Sequence, residues 1–458
     1  MAAELIITIS GMRGIVGRNL TAAVATEYGC AFGTFLNRNC ADNGRSLSVC
    51  VGRDSRPSGR MLAEAVADGL CSVGIDVVDL GIVTTPGVGI MTRHLKCAGG
   101  VVVTASHNPG EYNGIKLLLD NGIAPPARLA GQIKEAFLTK DFELVDSVSR
   151  GRTSQNDRTD AVHIEKVLAI VDKDSIAEAK FKVVLDSVNG AGGRVGVKLL
   201  EELGCEVVGV NTEPTGQFAH EPEPTRENLT GLCEEVGRAN AAIGFAQDPD
   251  ADRLAIVDEG GRYIGEEYTL ALAAKYVFSR CTGMAAANLS TSRMIDDVAA
   301  QAGCEVIRTA VGEANVAEAM IDNGCVIGGE GNGGVIDLRV GPVRDSLVGM
   351  ALVLGLMTEA GKSISALADE VGCYYMNKVK LKCDSEKIKL VIDRTKERFT
   401  GARVDLTDGA RFDFADGWLH IRPSNTEPVM RVIAETKTAE ATRKYIDTVG
   451  GIVKEVLG

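Results

Sequence analysis

Three times along this chain an amphipathic run ends at a glycine and an apolar run begins at once. Met61–Ser72 precedes Gly74-Ile75-Asp76-Val77-Val78, Val195–Leu203 precedes Gly204-Cys205-Glu206-Val207-Val208, and Met294–Ala302 precedes Gly303-Cys304-Glu305-Val306-Ile307. Period 3.6 followed by a β-branched run predicts a helix and then a strand, with glycine as the left-handed cap between them. Each copy follows an apolar run and a polar loop: Leu47–Val51 before Gly52-Arg53-Asp54, Val183–Leu185 before Asp186-Ser187, and Ala285–Leu289 before Ser290-Thr291-Ser292. Strand, loop, helix, glycine, strand is a βαβ unit. The glycines lie 130 (204 minus 74) and 99 (303 minus 204) residues apart, too far for a solenoid. They fit three related α/β domains with mixed sheets, in tandem.

Polar stretches place the boundaries. Ser147–Asp160 reads as a first linker, and the other breaks fall near Val257–Gly261 and Gly372–Lys378. The expected domains are 1–150, 151–258, 259–374 and 375–458. The last has a different pattern: strands at Val379–Leu381, Gly417–Ile421 and Val429–Ala434, a helix over Ser385–Phe399 and a final helix. It reads as a smaller α+β domain. Three or four domains agree with a length of 458 residues.

Composition changes this picture only by exclusion. Hydrophobic residues are 45% and charged residues 24% of the chain, ordinary for a soluble globular protein. A net charge of -13 argues against nucleic acid or an anionic membrane as partner. No apolar run approaches the ~18 residues of a membrane span. The N-terminus lacks the charged-then-apolar pattern of a signal peptide. Twelve cysteines without a C-x-x-C pair, many in apolar runs such as those of Cys50, Cys205 and Cys325, suit reduced thiols in a cytoplasmic protein.

Chemistry concentrates in four segments. In Val101-Val-Val-Thr-Ala-Ser106-His107-Asn108-Pro109, a buried strand is stopped by proline, and Ser106 sits on a loop at a strand end, where α/β folds place their sites. Asp248-Pro249-Asp250-Ala251-Asp252-Arg253 puts three carboxylates at alternate positions. Extended backbone would place them on one face, where they would repel one another without a hard cation such as Mg²⁺. A phosphate on Ser106 would add about -1.5 to -2 charge and would need that metal and nearby arginines, for which Arg13, Arg53 and Arg253 are candidates; Lys116 follows one strand later. Gly328-Gly329-Glu330-Gly331-Asn332-Gly333-Gly334 is followed by a strand-like run rather than a helix, which excludes a dinucleotide fingerprint. Its glycines allow close backbone approach, and Glu330 can accept hydrogen bonds from paired sugar hydroxyls. Arg422-Pro423-Ser424-Asn425-Thr426-Glu427-Pro428, with Arg431 behind it, has the makings of a phosphate clamp. Gly361-Lys362-Ser363 follows a helical run and lacks the spacing of a P-loop.

These four segments, in this order, resemble the α-D-phosphohexomutase family, which includes phosphoglucomutases, phosphomannomutases and phosphoglucosamine mutases. The resemblance spans essentially the whole chain, and the Thr104–Pro109 and Asp248–Arg253 segments carry most of its specificity. It implies four domains around a central cleft, the fourth closing it. It implies that Ser106 is a phosphoserine, that Asp248, Asp250 and Asp252 hold Mg²⁺ together with the Ser106 phosphate, and that Arg253 sits beside them. His107 and Lys116 match acid/base positions, and Arg13 matches the arginine of an N-terminal Gly-x-Arg-Gly loop. Glu330, with Asn332 in the same loop, would bind the sugar. Arg422, Ser424, Asn425 and Thr426, followed by Arg431, would hold the non-transferring phosphate. The implied mechanism is two phosphoryl transfers through a hexose 1,6-bisphosphate that turns over between them.

The sugar loop departs from the Glu-x-Ser-x-His of many members. Here it is Glu330-Gly331-Asn332-Gly333-Gly334, the form of a subgroup including archaeal-type phosphoglucosamine and phosphomannose enzymes. Val311-Gly312-Glu313 places a carboxylate where several members have histidine, and a carboxylate favours the ammonium of an amino sugar. The reading is therefore a cytoplasmic isomerase, monomer or homodimer, converting glucosamine 6-phosphate to glucosamine 1-phosphate. Phosphomannomutase or phosphoglucomutase activity is the alternative within the class. A metal-dependent sugar phosphatase, or a non-catalytic sugar-phosphate sensor, is the alternative outside it.

Overall fold

The computed structural model describes residues 5–8, 11–40, 47–423 and 429–457. They form two compact units, residues 1–269 with 332–365, and residues 270–331 with 366–458.

The first unit holds two mixed sheets. One is built from β1 (Ile6–Thr8), β2 (Gly11–Ile15), β3 (Ser48–Arg53), β4 (Asp76–Ile82), β5 (Gly99–Val103), β6 (Tyr112–Leu119) and β7 (Thr153–Gln155), in the order β1-β2-β6-β5-β3-β4-β7. Its centre is parallel, β5-β3-β4, with β6 and β2 antiparallel at one side. β5 is buried at every position, as a strand covered on both faces must be. Helices Ala22–Cys40 and Gly59–Ser72 pack on one face, closing a core that includes Phe32, Leu36, Val49, Val101 and Val103. β7 pairs parallel to β4, so the stretch expected as a linker carries an edge strand of this sheet.

The second sheet comprises β8 (Lys182–Asp186), β9 (Glu206–Val210), β10 (Ile243–Gln247) and β11 (Leu254–Asp258), in the order β11-β10-β8-β9. β8, β9 and β10 are parallel, and β11 returns antiparallel to β10. Helix Ser346–Ala360 is buried at every position from Ser346 to Met357 and packs against helices Thr159–Leu168, Lys173–Ala179 and Gly192–Glu202. A helix apolar all round belongs inside a protein. Among the described residues no single helix is long and apolar enough to cross a membrane.

The second unit begins with parallel strands β12 (Met284–Asn288), β13 (Glu305–Thr309) and β14 (Ile327–Glu330), β12 between the other two. The short β15 (Gly334–Ile336) belongs to the segment of the first unit that follows. The three recurrent units are thus β3 to β4, β8 to β9 and β12 to β13, and Gly74, Gly204 and Gly303 all carry the expected positive φ, at 81°, 76° and 68°.

The C-terminal sheet is antiparallel: β16 (Tyr375–Lys382), β17 (Arg403–Asp405), β18 (Ala410–Asp413), β19 (Gly417–Pro423) and β20 (Val429–Thr436), ordered β16-β20-β19-β18-β17. Helices Ser385–Arg398 and Ala439–Leu457 cover it. Leu419, Ile421, Val432 and Ala434 join the core with these helices. The strand period of two turns Trp418, His420 and Arg422 to the opposite face.

Candidate active site

In the first unit, β5 ends at Val103 and the chain returns in β6 with Val103 opposite Ile115. Ser106, on the connecting loop, adopts φ +50°, a left-handed conformation costly for a residue with a side chain. A buried ion pair holds it there. All five N–H groups of the Arg56 guanidinium are used: Nε on Asp54 Oδ2 at 3.0 Å, Nη1 on the carbonyls of Pro109 (2.8 Å) and Tyr112 (3.1 Å), and Nη2 on those of Ser106 and Asn108, both at 2.6 Å. Asp54 also accepts from Thr104 Oγ1 at 2.6 Å, and that hydroxyl accepts from the Ser106 amide at 2.9 Å. Arg56 and Asp54 are fully buried, and the guanidinium stacks 4.9 Å over the Phe218 ring. A rigid fork satisfied by carbonyls fixes a loop in a way a point charge does not. Arg53, expected beside Ser106, instead donates to the Asp54 carbonyl. The basic residue that governs the serine loop is Arg56, three positions on, which sequence reasoning missed.

Ser106 Oγ donates to Asp248 Oδ2 at 2.9 Å and lies 3.4 Å from His107 Nδ1. Asp248 opens the connection from β10 to β11. The three aspartates converge there through a tight turn, not through the extended backbone expected. Ala251 N–H donates to the Asp248 carbonyl at 3.0 Å, and Ala251 itself has φ +56°. Pro249 suits position two of such a turn as well as it suits a strand. One carboxylate oxygen from each of Asp248, Asp250 and Asp252 lies within 4.8 Å of the other two, and all three residues are fully buried.

Cations surround this cluster. Lys116 Nζ reaches Asp250 Oδ2 at 2.8 Å and Asp252 Oδ2 at 3.5 Å. Arg344 Nη2 donates to Asp252 Oδ2 at 2.7 Å. The Arg253 amide donates to Asp248 Oδ1 at 3.1 Å, and its Nε stands 3.8 Å from Asp252 Oδ1. Thr85 Oγ1 donates to Asp250 Oδ2 at 2.6 Å. Yet Asp250 Oδ1 and Asp252 Oδ1 are buried and, among the described residues, accept no hydrogen bond. Such oxygens are costly unless a cation meets them. Burial, then the charges of Asp250 and Asp252, push the Asp248 carboxyl well above its ordinary range. Burial pushes Asp250 the same way, but Lys116 outweighs it and holds Asp250 ionised. An all-oxygen, crowded, anionic set fits a hard divalent cation.

Burial, and then Arg253 and Arg13, lower the His107 pKa to about 2, so the imidazole is neutral. Its Nε2 lies 3.9 Å from Glu223. Arg13 Nη1 donates to Asn108 Oδ1 at 3.2 Å. The sequence-predicted Ser106, His107, Lys116, Arg13, Arg253 and the three aspartates are therefore brought together. Arg344 joins them unforeseen.

In the second unit, Glu330 ends β14, buried, and its Oε1 accepts from Asn288 Nδ2 at 2.7 Å and from the Gly312 amide at 3.1 Å. Glu313, the residue after Gly312, opens helix Glu313–Asn323. Glu330 is thereby tied to the loop that carries Glu313. Asn332, two residues beyond Glu330, is half-buried and belongs to the first unit. In the C-terminal sheet Arg422 stands directly opposite Arg431 across β19 and β20, so the two side chains share a face. Arg422 Nε is 3.3 Å from Asp408 Oδ2, which also accepts from the Val311 amide at 3.1 Å. Ser424, Asn425 and Thr426 lie outside the described residues.

Residues 5–144, 161–261 and 265–374 match phosphoglucomutase/phosphomannomutase alpha/beta/alpha domains I, II and III, and residues 379–450 match the C-terminal domain. The chain belongs to the phosphoglucomutase/phosphomannomutase family, the α-D-phosphohexomutases. It is 40% identical over 453 residues to a phosphoglucomutase/phosphomannomutase of Thermococcus kodakarensis, covering 98% of each chain. It is 36% identical to a probable phosphoglucosamine mutase of Methanopyrus kandleri, again over 98% of each. A solved phosphoglucomutase/phosphomannomutase family protein from Burkholderia thailandensis superposes with TM-score 0.85 at 29% identity, over 98% of both chains. The protein is a phosphohexomutase, an isomerase that moves phosphate on a hexose phosphate.

Proposed function

We propose that the protein interconverts glucosamine 6-phosphate and glucosamine 1-phosphate through phospho-Ser106 and a hexose 1,6-bisphosphate. The observation that carries this reading is the 2.9 Å hydrogen bond from Ser106 Oγ to Asp248, in a cluster where Asp250 Oδ1 and Asp252 Oδ1 are buried and accept no hydrogen bond from any described residue. Mg²⁺ would be held by Asp248, Asp250, Asp252 and the Ser106 phosphate, and when bound it supplies charge compensation for the transferring phosphoryl group. In the first half-reaction a sugar hydroxyl attacks the phosphorus of phospho-Ser106, the P–Oγ bond breaks, and the hydroxyl proton passes to a base while Oγ regains one. Lys116 and His107 are the groups we assign to these proton movements. Arg13 and Arg253 add positive charge where the phosphate would stand. The bisphosphate then turns, and its other phosphate returns to Ser106 by the reverse steps.

Glu330 is assigned to sugar hydroxyls with Asn332, and Glu313 to the C2 ammonium. Arg422 and Arg431, with Ser424, Asn425 and Thr426, are assigned to the phosphate that is not in transfer. We further propose functional divisions near residues 150, 258 and 374, with the phosphoserine, metal, sugar and phosphate segments in that order. The name of the Methanopyrus kandleri relative supports glucosamine phosphate. That of the Thermococcus kodakarensis relative supports phosphoglucomutase/phosphomannomutase activity as the second reading. A coupled assay across glucosamine, mannose and glucose phosphates, each with a catalytic amount of its bisphosphate, decides between them. Preference for mannose 1-phosphate would reject the first, and release of free phosphate without isomer formation would reject both in favour of a phosphatase.

A further inference from the structure

The glycine run and the aspartate turn meet in Arg344. Its Nη2 holds one oxygen of Asp252, Oδ2, at 2.7 Å, while the other, Oδ1, is buried, stands 3.8 Å from Arg253 Nε and accepts no hydrogen bond from any described residue. We propose that Arg344 is a positioning residue for the divalent cation: it pins Asp252 by Oδ2 so that Oδ1 is presented to the metal. Gly333 and Gly334 are glycines because this arrangement leaves no room for a side chain. The inference rests on the metal role proposed above for the three aspartates.

The packing is specific. A Cβ on Gly334 would fall 2.2 Å from Cδ of Arg344 and 2.7 Å from its Cγ. A Cβ on Gly333, whose φ is +83°, would fall 2.2 Å from the carbonyl of Leu254, two residues beyond Asp252. The Gly333 carbonyl in turn accepts from the Leu254 amide at 3.0 Å. The end of the glycine run therefore lies against the metal strand and beneath the Arg344 stem.

The backbone that carries Arg344 is locked on both sides. The Asp345 amide donates to the Val335 carbonyl at 2.8 Å. The Asp345 side chain caps helix Ser346–Ala360 through the Leu347 amide at 2.9 Å and meets buried His163 Nε2 at 2.6 Å. Ser346 Oγ donates to the Ala251 carbonyl at 2.7 Å and accepts from Gln247 Nε2 at 2.8 Å. Residues 344 and 346 thus grip residues 252 and 251 of the turn. A carboxylate held at one oxygen keeps its plane, and outer partners of this kind govern ligand orientation at metal sites. The planar guanidinium does this with direction, which an ammonium cannot match. Arg344 also repels the cation it serves, so the sign of its net effect is the deciding measurement.

The test uses the full chain with Mn²⁺ as probe, its dissociation constant read by electron paramagnetic resonance. Wild type, Arg344→Gln, Arg344→Lys, Gly334→Ala and Asp252→Asn are compared, with circular dichroism recording the fold. Weakening of Mn²⁺ binding by roughly 10–100-fold in both Arg344 variants is expected, following the usual cost of losing an outer partner. Gly334→Ala should weaken it in the same direction, and it decides the matter together with Arg344→Lys should Arg344→Gln not fold. Turnover of the Arg344 variants should recover at saturating Mg²⁺. Unchanged or tighter Mn²⁺ binding in these variants would overturn the inference, as would lost turnover that excess metal does not restore. Failure of wild type itself to bind Mn²⁺ would instead reject the metal reading. Loss of binding in Asp252→Asn alone would keep that reading and reject Arg344.

Discussion

The serine–aspartate centre and the arginine pair solve opposite electrostatic problems. In the first, charges of both signs interleave. Three buried carboxylates are met by Lys116, Arg344 and Arg253, and two of their oxygens still accept no hydrogen bond from any described residue. In the second, like charges face each other: Arg422 is paired in register with Arg431, and Asp408 stands 3.3 Å from Arg422. Directly opposed like charges destabilise a sheet unless something of the other sign joins them. The first arrangement fits a cation and the second an anion. The difference teaches that the residues which look least stable where they stand are those that identify the ligand.

The largest expected effect breaks the first region. Ser106→Ala should lower turnover by at least about 10³-fold, because no phosphoryl carrier is left. Phosphopeptide mapping of the wild type should find the phosphate on Ser106. Undiminished turnover by the variant, with no phosphorylated residue, would remove Ser106 from its assigned role.

Breaking the second region should cost binding before chemistry. Arg422→Ala removes a charge-assisted contact worth roughly 1.5–3 kcal/mol, so KM should rise roughly 10–150-fold with kcat changed less. Inorganic phosphate should raise the melting temperature of wild type and leave that of the variant unmoved. Equal stabilisation of both proteins would place the anion elsewhere.

Acid sharpens the contrast. His420 Nε2 lies 2.7 Å from the Asp408 carbonyl oxygen and Nδ1 lies 2.9 Å from Ser290 Oγ. The carbonyl only accepts, so Nε2 carries the proton and Nδ1 accepts from the serine hydroxyl. Burial foremost, aided by Arg422 and Arg411 and opposed by the Asp408 carbonyl, lowers the His420 pKa to about 4. A depressed folded-state pKa contributes stability that is whole above the unfolded value near ~6.5 and is lost as pH falls from there through about 4. The loss should amount to about 2–3 kcal/mol. Urea unfolding at pH 7.5 and 4.5 should show it, and His420→Gln should flatten that part of the pH dependence. An unaltered pH slope in the variant would contradict the neutral assignment.

The smallest effect concerns substrate choice. Glu313→Gln should reduce a preference for glucosamine phosphate by roughly tenfold while sparing the chemistry shared with other hexose phosphates. Competing-substrate assays measure the ratio, and an unchanged ratio would remove Glu313 from specificity.

What the sequence disclosed followed distance along the chain. The three βαβ units, Ser106 and the aspartates were legible because each pattern lies within a few tens of residues or fewer. Arg56 and Arg344 were not, because they act on residues 50 and 92 positions away. Nothing local distinguishes such an arginine from one on the surface. The glycine run allows close approach of a ligand, but Gly333 and Gly334 make room for Leu254 and Arg344. Alternate carboxylates point to extended backbone, yet they converge through the turn that Ala251 completes, which suits Pro249 equally well. β17 and β18 escaped because Arg403–Asp405 and Ala410–Asp413 are short and lie among Thr, Asp and Gly.

The two units interleave along the chain, which passes between them after residues 269, 331 and 365. For a polypeptide emerging from the ribosome N-terminus first, this ordering is a constraint on timing. The aspartate turn is synthesised early, yet Arg344 and the apolar helix Ser346–Ala360 that complete its unit arrive only after residues 270–331 are already exposed. Those residues must then wait for 366–458. Both units therefore stay unfinished together through much of translation, with apolar surface of each uncovered. A pause within 270–331 would leave neither complete, and an aspartate cluster already held by Arg344 would certify that most of the chain had been made.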